Sequence, residues 1–136
     1  MSAHDRYCVI IPAYNAAKTI GELVKAVKAQ GLPVVVVDDG SRDNTSAVAA
    51  QHGAVVISHL RNQGKGSALR TGFAHALRAK YEGIITMDSD GQHQPGDIPR
   101  FIQAVERQHA GIVVGNRMEN ASMPWMRRWA NRVARL

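Results

Sequence analysis

Apolar positions along the chain switch between a strand-like and a helix-like period. Tyr7-Cys8-Val9-Ile10-Ile11 is an unbroken apolar run ended by Pro12, which predicts a strand buried on both faces. Ile20, Leu23, Val24 and Val27 then recur at i, i+3, i+4 and i+7, a helix stripe that ends near Gly31 and Pro33. Val34 to Val37, β-branched throughout, suits a second buried strand. A helix from about Thr45 to His52 follows, with Asp43 or Asn44 as its cap and Gly53 as its stop. Ala54 to Ile57 reads as a third strand. Leu69, Phe73, Ala76 and Leu77 mark a helix through Arg78, and Gly83 to Met87 a fourth strand. Ile98, Phe101, Ile102 and Val105 give another helix, and Gly111 to Gly115 a fifth strand. Trp125, Trp129, Val133 and Leu136 return to helical spacing among arginines, which predicts a basic amphipathic tail helix.

Strands alternating with helices predict one α/β domain, a mostly parallel sheet with helices on both faces. The expected division is a domain over 1–123 and a tail over 124–136. In such sheets the binding crevice lies beyond the carboxyl ends of the strands. Those ends carry Pro12-Ala13-Tyr14-Asn15, Asp38-Asp39-Gly40-Ser41 and Asp88-Ser89-Asp90-Gly91-Gln92.

Composition narrows the class. At 136 residues and 14.8 kDa the chain has room for one compact domain, and 45% apolar residues suffice for a core. No apolar run approaches the roughly 18 residues of a spanning helix, and MSAHDRYCV lacks the pattern of a secretory signal. The single cysteine, Cys8, excludes an internal disulfide. The expectation is a soluble, cytoplasmic chain. Of the net charge of +6, residues 117–136 carry +4 (Arg117, Arg127, Arg128, Arg132 and Arg135 against Glu119). With basicity mainly in the tail and only 5% aromatic residues, nucleic-acid binding is disfavoured.

The rim residues suggest chemistry. Asp88 and Asp90 are two apart, so their carboxylates can point the same way. Close carboxylates repel unless a cation or proton intervenes, and hard oxygen ligands suit Mg²⁺ or Mn²⁺. The alternative is a solvated turn. Asp39 reads equally as a turn former or as a ligand of a nucleoside. Lys65, between Gly64 and Gly66 at a helix start, reads as an anion site that is not a Walker A loop or as a solvated lysine on a flexible loop. Arg117 reads by default as a surface arginine, with a further phosphate contact as the alternative. His93 adjoins the acidic pair. The other histidines, His59 among them, show no ligand spacing. No Ser-His-Asp or Cys-His set is evident.

The segments V-I-I-P-A-Y-N (9–15), V-V-D-D-G-S-x-D-N-T (36–45), N-Q-G-K-G-S-A-L-R-T-G (62–72), M-D-S-D-G-Q-H-Q-P-x-D-I-P (87–99) and V-G-N-R (114–117) together resemble family 2 inverting glycosyltransferases. These have the Rossmann-like GT-A fold, and the resemblance is closest to the dolichyl- and polyprenyl-phosphate sugar synthase branch. It implies transfer of a sugar from a nucleotide-diphosphate donor with Mg²⁺ or Mn²⁺. By position, Pro12, Tyr14 and Asp39 correspond to nucleoside-binding residues, with Val37 nearby. Asp88 and Ser89 correspond to donor contacts, and Lys65 to the loop near the donor. Asp90 and Gln92 correspond to metal and diphosphate ligands, with Asp88 beside them, and Arg117 to a phosphate contact. Asp90 thereby becomes the expected catalytic residue. Ala16 departs from the family, which usually has Glu there. Family members also continue into an acceptor-side segment.

A hydroxyl acceptor needs a general base, and after Asp97 the chain offers only Glu106 and Glu119. A lipid phosphate is already an anion, so a polyprenyl-phosphate acceptor is expected. The tail helix would lie on an anionic membrane at its inner face, on the domain, or on a partner chain or second copy. The alternative function is a truncated or inactive domain that binds nucleotide sugar, or a partner, without turnover.

Overall fold

A computed structural model describes residues 3–91, 94–108, 112–115 and 131–135, and side chains within 5–91 and 94–107. After a short helix α1 (Ala3–Arg6), strand β1 (Tyr7–Ala13) is buried along its whole length. Helix α2 (Ala17–Ala29) leads to β2 (Val34–Asp38), also wholly buried. Helix α3 (Thr45–Gln51), strand β3 (Val55–Ser58), helix α4 (Lys65–Arg78) and strand β4 (Gly83–Thr86) follow. A 3-10 turn at Pro95–Asp97 opens α5 (Ile98–Gln108), and the last strands are β5 (Ile112–Gly115) and β6 (Asn131–Arg135).

The sheet runs β3-β2-β1-β4-β6-β5, with β3, β2, β1 and β4 parallel. One face buries Ile20, Leu23, Val24 and Val27 of α2 and Ile98, Ile102 and Val105 of α5 against Val9, Ile11, Val34, Val36 and Ile85. Each such aliphatic side chain contributes about 1.5–3 kcal/mol of transfer free energy. The other face packs α4 on Cys8, Ile10, Val35, Val37 and Ile84. Buried among aliphatic groups, the Cys8 thiol is pushed up to about 12. The expected α/β domain with helices on both faces is the observed one.

Two elements differ from the sequence reading. The face of α4 that meets the sheet is Ala68, Gly72 and Ala76, while Leu77 is 59% exposed. Small residues win because the helix lies so close: a Cβ on Gly72 would stand 2.5 Å from Ile10 Cγ2. Residues 131–135, expected in the tail helix, instead form β6, antiparallel to both neighbours, with Val133 in register with Ile85 and Val113. A strand there pairs backbone groups on β4 and β5 that a helix would leave unpartnered. Residues 124–130 and 136 of the expected helix lie outside the described residues. No described helix is long and apolar enough to cross a membrane.

Candidate functional site

At the carboxyl ends of β1, β2 and β4 the neighbouring loops are tied to one another before any ligand is considered. Strand ends hand their amides on: Asp39 N–H donates to Ala13 O (2.8 Å), His59 N–H to Asp38 O (2.8 Å) and Met87 N–H to Ile10 O (3.1 Å). Asn15, at φ 50°, donates its N–H to Ser41 Oγ and accepts the Arg42 N–H on Oδ1, both at 2.8 Å. The start of α2 has no cap of its own. The Ala16 and Ala17 N–H groups donate instead to Thr45 Oγ1 (2.8 Å) and Asp43 Oδ2 (3.1 Å). Asp43 also accepts the Thr45 hydroxyl and N–H. Led by the Thr45 hydroxyl, these bonds hold its carboxyl below the usual value.

Asp38 and Asp39 do separate work. Asp38 accepts the Ser41 N–H (2.9 Å) and the Ser46 hydroxyl, building the turn after β2. Asp39 accepts the Gln63 N–H (2.9 Å) on Oδ1 and the Gly64 N–H (2.8 Å) on Oδ2, anchoring the loop that starts α4. His59 Nδ1 lies 2.8 Å from the same Oδ1. Burial alone would raise the Asp39 carboxyl. The hydrogen bonds from His59, Gln63 and Gly64, with the His59 ring, outweigh it and hold the carboxyl below its usual value. The loop can approach because residue 40 is glycine: at φ +75° its Cβ would stand 2.4 Å from the Arg61 carbonyl carbon.

These loops enclose a cleft of about 340 Å³ lined by Pro12, Ala13, Tyr14, Asp39, Asn62, Gly64, Lys65, Ala68, Asp88, Ser89 and Asp90. The structure thus brings together seven of the ten residues singled out above: Pro12, Tyr14, Asp39, Lys65, Asp88, Ser89 and Asp90 line the one cleft. Val37 is fully buried beneath α4 and does not line the cleft. Gln92 and Arg117 lie outside the described residues. Lys65 Nζ pairs with Asp88 Oδ1, and the turn after β4 is held by the Thr19 hydroxyl, which donates to Ser89 O at 2.5 Å. Glu106 is engaged by Arg6 and the Tyr7 hydroxyl (2.9 Å each), at the start of β1 and away from the cleft.

The donor chemistry fits a hard divalent cation held partly by substrate. Among the described residues no three His, Cys, Asp or Glu side chains cluster to hold an ion by themselves. Mg²⁺ is ordinarily held by one or two carboxylates with phosphate oxygens and waters completing its shell. Asp88 and Asp90, both on the cleft wall, match that partial set.

His59 and Thr71 carried no signal by spacing. The signal lies in the sheet register: Asp38 pairs with Ser58, which places the next residues, Asp39 and His59, side by side.

The sequence model of glycosyl transferase family 2 matches residues 8–135. An uncharacterised protein of Methanocaldococcus jannaschii is 42% identical over 132 residues, covering 93% of this chain and 54% of that protein. The UDP-N-acetylglucosamine–dolichyl-phosphate N-acetylglucosaminyltransferase of Methanococcus voltae is 32% identical over 130 residues, covering 82% and 52%. The chain spans about half the length of these relatives. Among solved structures, glucosyl-3-phosphoglycerate synthase from Mycobacterium tuberculosis in complex with Mn²⁺, UDP and phosphoglyceric acid aligns with a TM-score of 0.66 at 26% identity. That alignment covers 81% of this chain and 42% of that one.

Proposed function

The chain belongs to glycosyl transferase family 2, and from that membership we propose that it binds a nucleotide-diphosphate sugar and transfers the sugar, with inversion, to a polyprenyl-phosphate acceptor. The observation that carries the reading is the convergence of Asp39, Lys65, Asp88 and Asp90 on one cleft at the strand ends. Support for the donor comes from the mycobacterial synthase, solved with UDP and Mn²⁺. Support for the acceptor comes from the dolichyl-phosphate transferase.

In this reading Asp39 and Tyr14 take the nucleoside, with Pro12 beneath it, and Ser89 and Lys65 take the diphosphate side. Gln92 and Arg117 are assigned there by the family pattern. Asp88 and Asp90 would hold Mg²⁺ or Mn²⁺, which when bound neutralises charge on the departing diphosphate. The Lys65 ammonium, already against Asp88, adds positive charge to the same region. An acceptor phosphate oxygen forms the new bond to the anomeric carbon from the opposite face. The bond to the diphosphate oxygen breaks, and the nucleoside diphosphate leaves with that electron pair. No proton moves, so no general base is required, in keeping with Glu106 being tied up elsewhere. A lipid acceptor places the protein at the cytoplasmic membrane surface while at work. Residues 1–123 would then supply the donor site. Within 124–136, residues 131–135 complete the sheet.

The test is thermal stabilisation by UDP-, GDP- and dTDP-sugars, each with and without Mg²⁺ or Mn²⁺. One nucleotide should raise Tm in a metal-dependent way, and Asp90→Ala should abolish the metal-dependent part. Binding without transfer to a polyprenyl phosphate would select a nucleotide-sugar binding module instead. No stabilisation by any of them would contradict both.

A further inference from the structure

We infer that His59 is a positioning residue for the nucleotide site, fixing the Asp39 carboxylate and the start of α4 in one arrangement. The inference rests on the donor-binding reading above. The ring spans three elements: Nδ1 lies 2.8 Å from Asp39 Oδ1 at the end of β2, and Nε2 lies 2.8 Å from Thr71 Oγ1 on α4. The His59 backbone N–H is itself tied to Asp38 O. The His59 and Asp39 side chains are 10% and 5% exposed, so little water competes for these bonds.

The geometry assigns the proton. Asp39 is held in its ionised form and only accepts, so Nδ1 carries hydrogen. Thr71 has one hydroxyl proton and two neighbours, Nε2 at 2.8 Å and Ser67 O at 3.1 Å. Given to Nε2, it leaves a neutral ring; given to Ser67 O, it leaves an imidazolium. Both arrangements keep Nδ1–H on Asp39.

A carboxylate offers about four acceptor positions. His59, Gln63 and Gly64 occupy three of those on Asp39, which leaves one, on Oδ2, for a nucleoside donor group. Gln63 and Gly64 belong to the loop that Asp39 anchors, whereas His59 reaches Asp39 from a strand end, so it defines the carboxylate plane independently of that loop. On its other side His59 meets Thr71, next to the Gly72 that presses on Ile10. The helix that carries Lys65 into the cleft is therefore indexed to the same ring.

The test uses the full chain. Calorimetric titration with UDP, GDP and dTDP in Mn²⁺ should give an affinity that falls about tenfold in His59→Ala, the effect of losing one well-placed hydrogen bond. His59→Asn, whose side-chain N–H can still reach Asp39, should recover most of it. ¹⁵N NMR of the unliganded wild type should show His59 protonated at Nδ1. Equal losses in His59→Ala and His59→Asn, wild-type affinity in His59→Ala, or a bare Nδ1 would each overturn the inference while leaving the donor reading standing. A wild type that binds none of the three nucleotides would overturn the donor reading, and this inference with it.

Discussion

On the β2–β3 side of the cleft, Asp39 is 5% exposed, and its partners are a buried ring and two backbone amides. On the β4 side, Asp88 is 19% exposed and pairs with a Lys65 side chain that is 43% exposed. The first arrangement is bound into the fold, so disturbing it disturbs stability. The second sits in a solvent-screened setting where an ion pair contributes little, so its carboxylates and ammonium can exchange partners when a charged ligand arrives. A nucleoside needs a shaped, preformed wall. A diphosphate with its cation needs charge that can be redeployed, and the two sides differ accordingly.

The contrast can be broken at its strongest point first. Gly40→Val forces a side chain into the Arg61 backbone at a positive φ, so it should cost about 3 kcal/mol or more in urea unfolding. Asp39→Ala, which strips three partly buried donors of their acceptor, should cost about 1–3 kcal/mol at neutral pH. Asp39 and Asp43 both titrate below the usual 3.8 in the fold, so their stabilisation is complete above that value and is lost as pH falls through the lower folded values. Between about pH 5 and about pH 2 the urea midpoint should drop, and Asp39→Asn should flatten the drop. Lys65→Ala marks the other extreme, with a stability change of about 0–1 kcal/mol but nucleotide affinity reduced about tenfold. A stability loss in Lys65→Ala as large as that in Asp39→Ala would erase the distinction between the two sides.

Much of the fold was legible in the chain because the signals are local. The runs at 7–11 and 34–37 point to strands buried on both faces, and the stripe Ile20-Leu23-Val24-Val27 to one helix face, and β1, β2 and α2 are those elements. The acidic rim is legible for the same reason, since Asp39 directly follows β2 and Asp88 and Asp90 stand two and four residues past the end of β4. What escaped depends on which strands are neighbours. His59 meets Asp39 only because β3 lies beside β2, and 131–135 form a strand only because β4 and β5 leave a gap between them. Of the residues that mark α4 in the sequence, Ala76 is buried and Phe73 packs against the sheet, while Leu77 faces solvent. There, the closeness of helix to sheet selected Ala68, Gly72 and Ala76 over Leu69 and Leu77.

The central claim is that Asp88 and Asp90 hold a divalent cation against a nucleotide's diphosphate. Anomalous diffraction from a crystal grown with Mn²⁺ and the best-stabilising nucleotide tests it most directly. The account predicts a manganese peak within ligand distance of an Asp90 carboxylate oxygen and of the diphosphate. A nucleotide bound in the cleft with no such peak, or manganese bound only elsewhere on the surface, would contradict it.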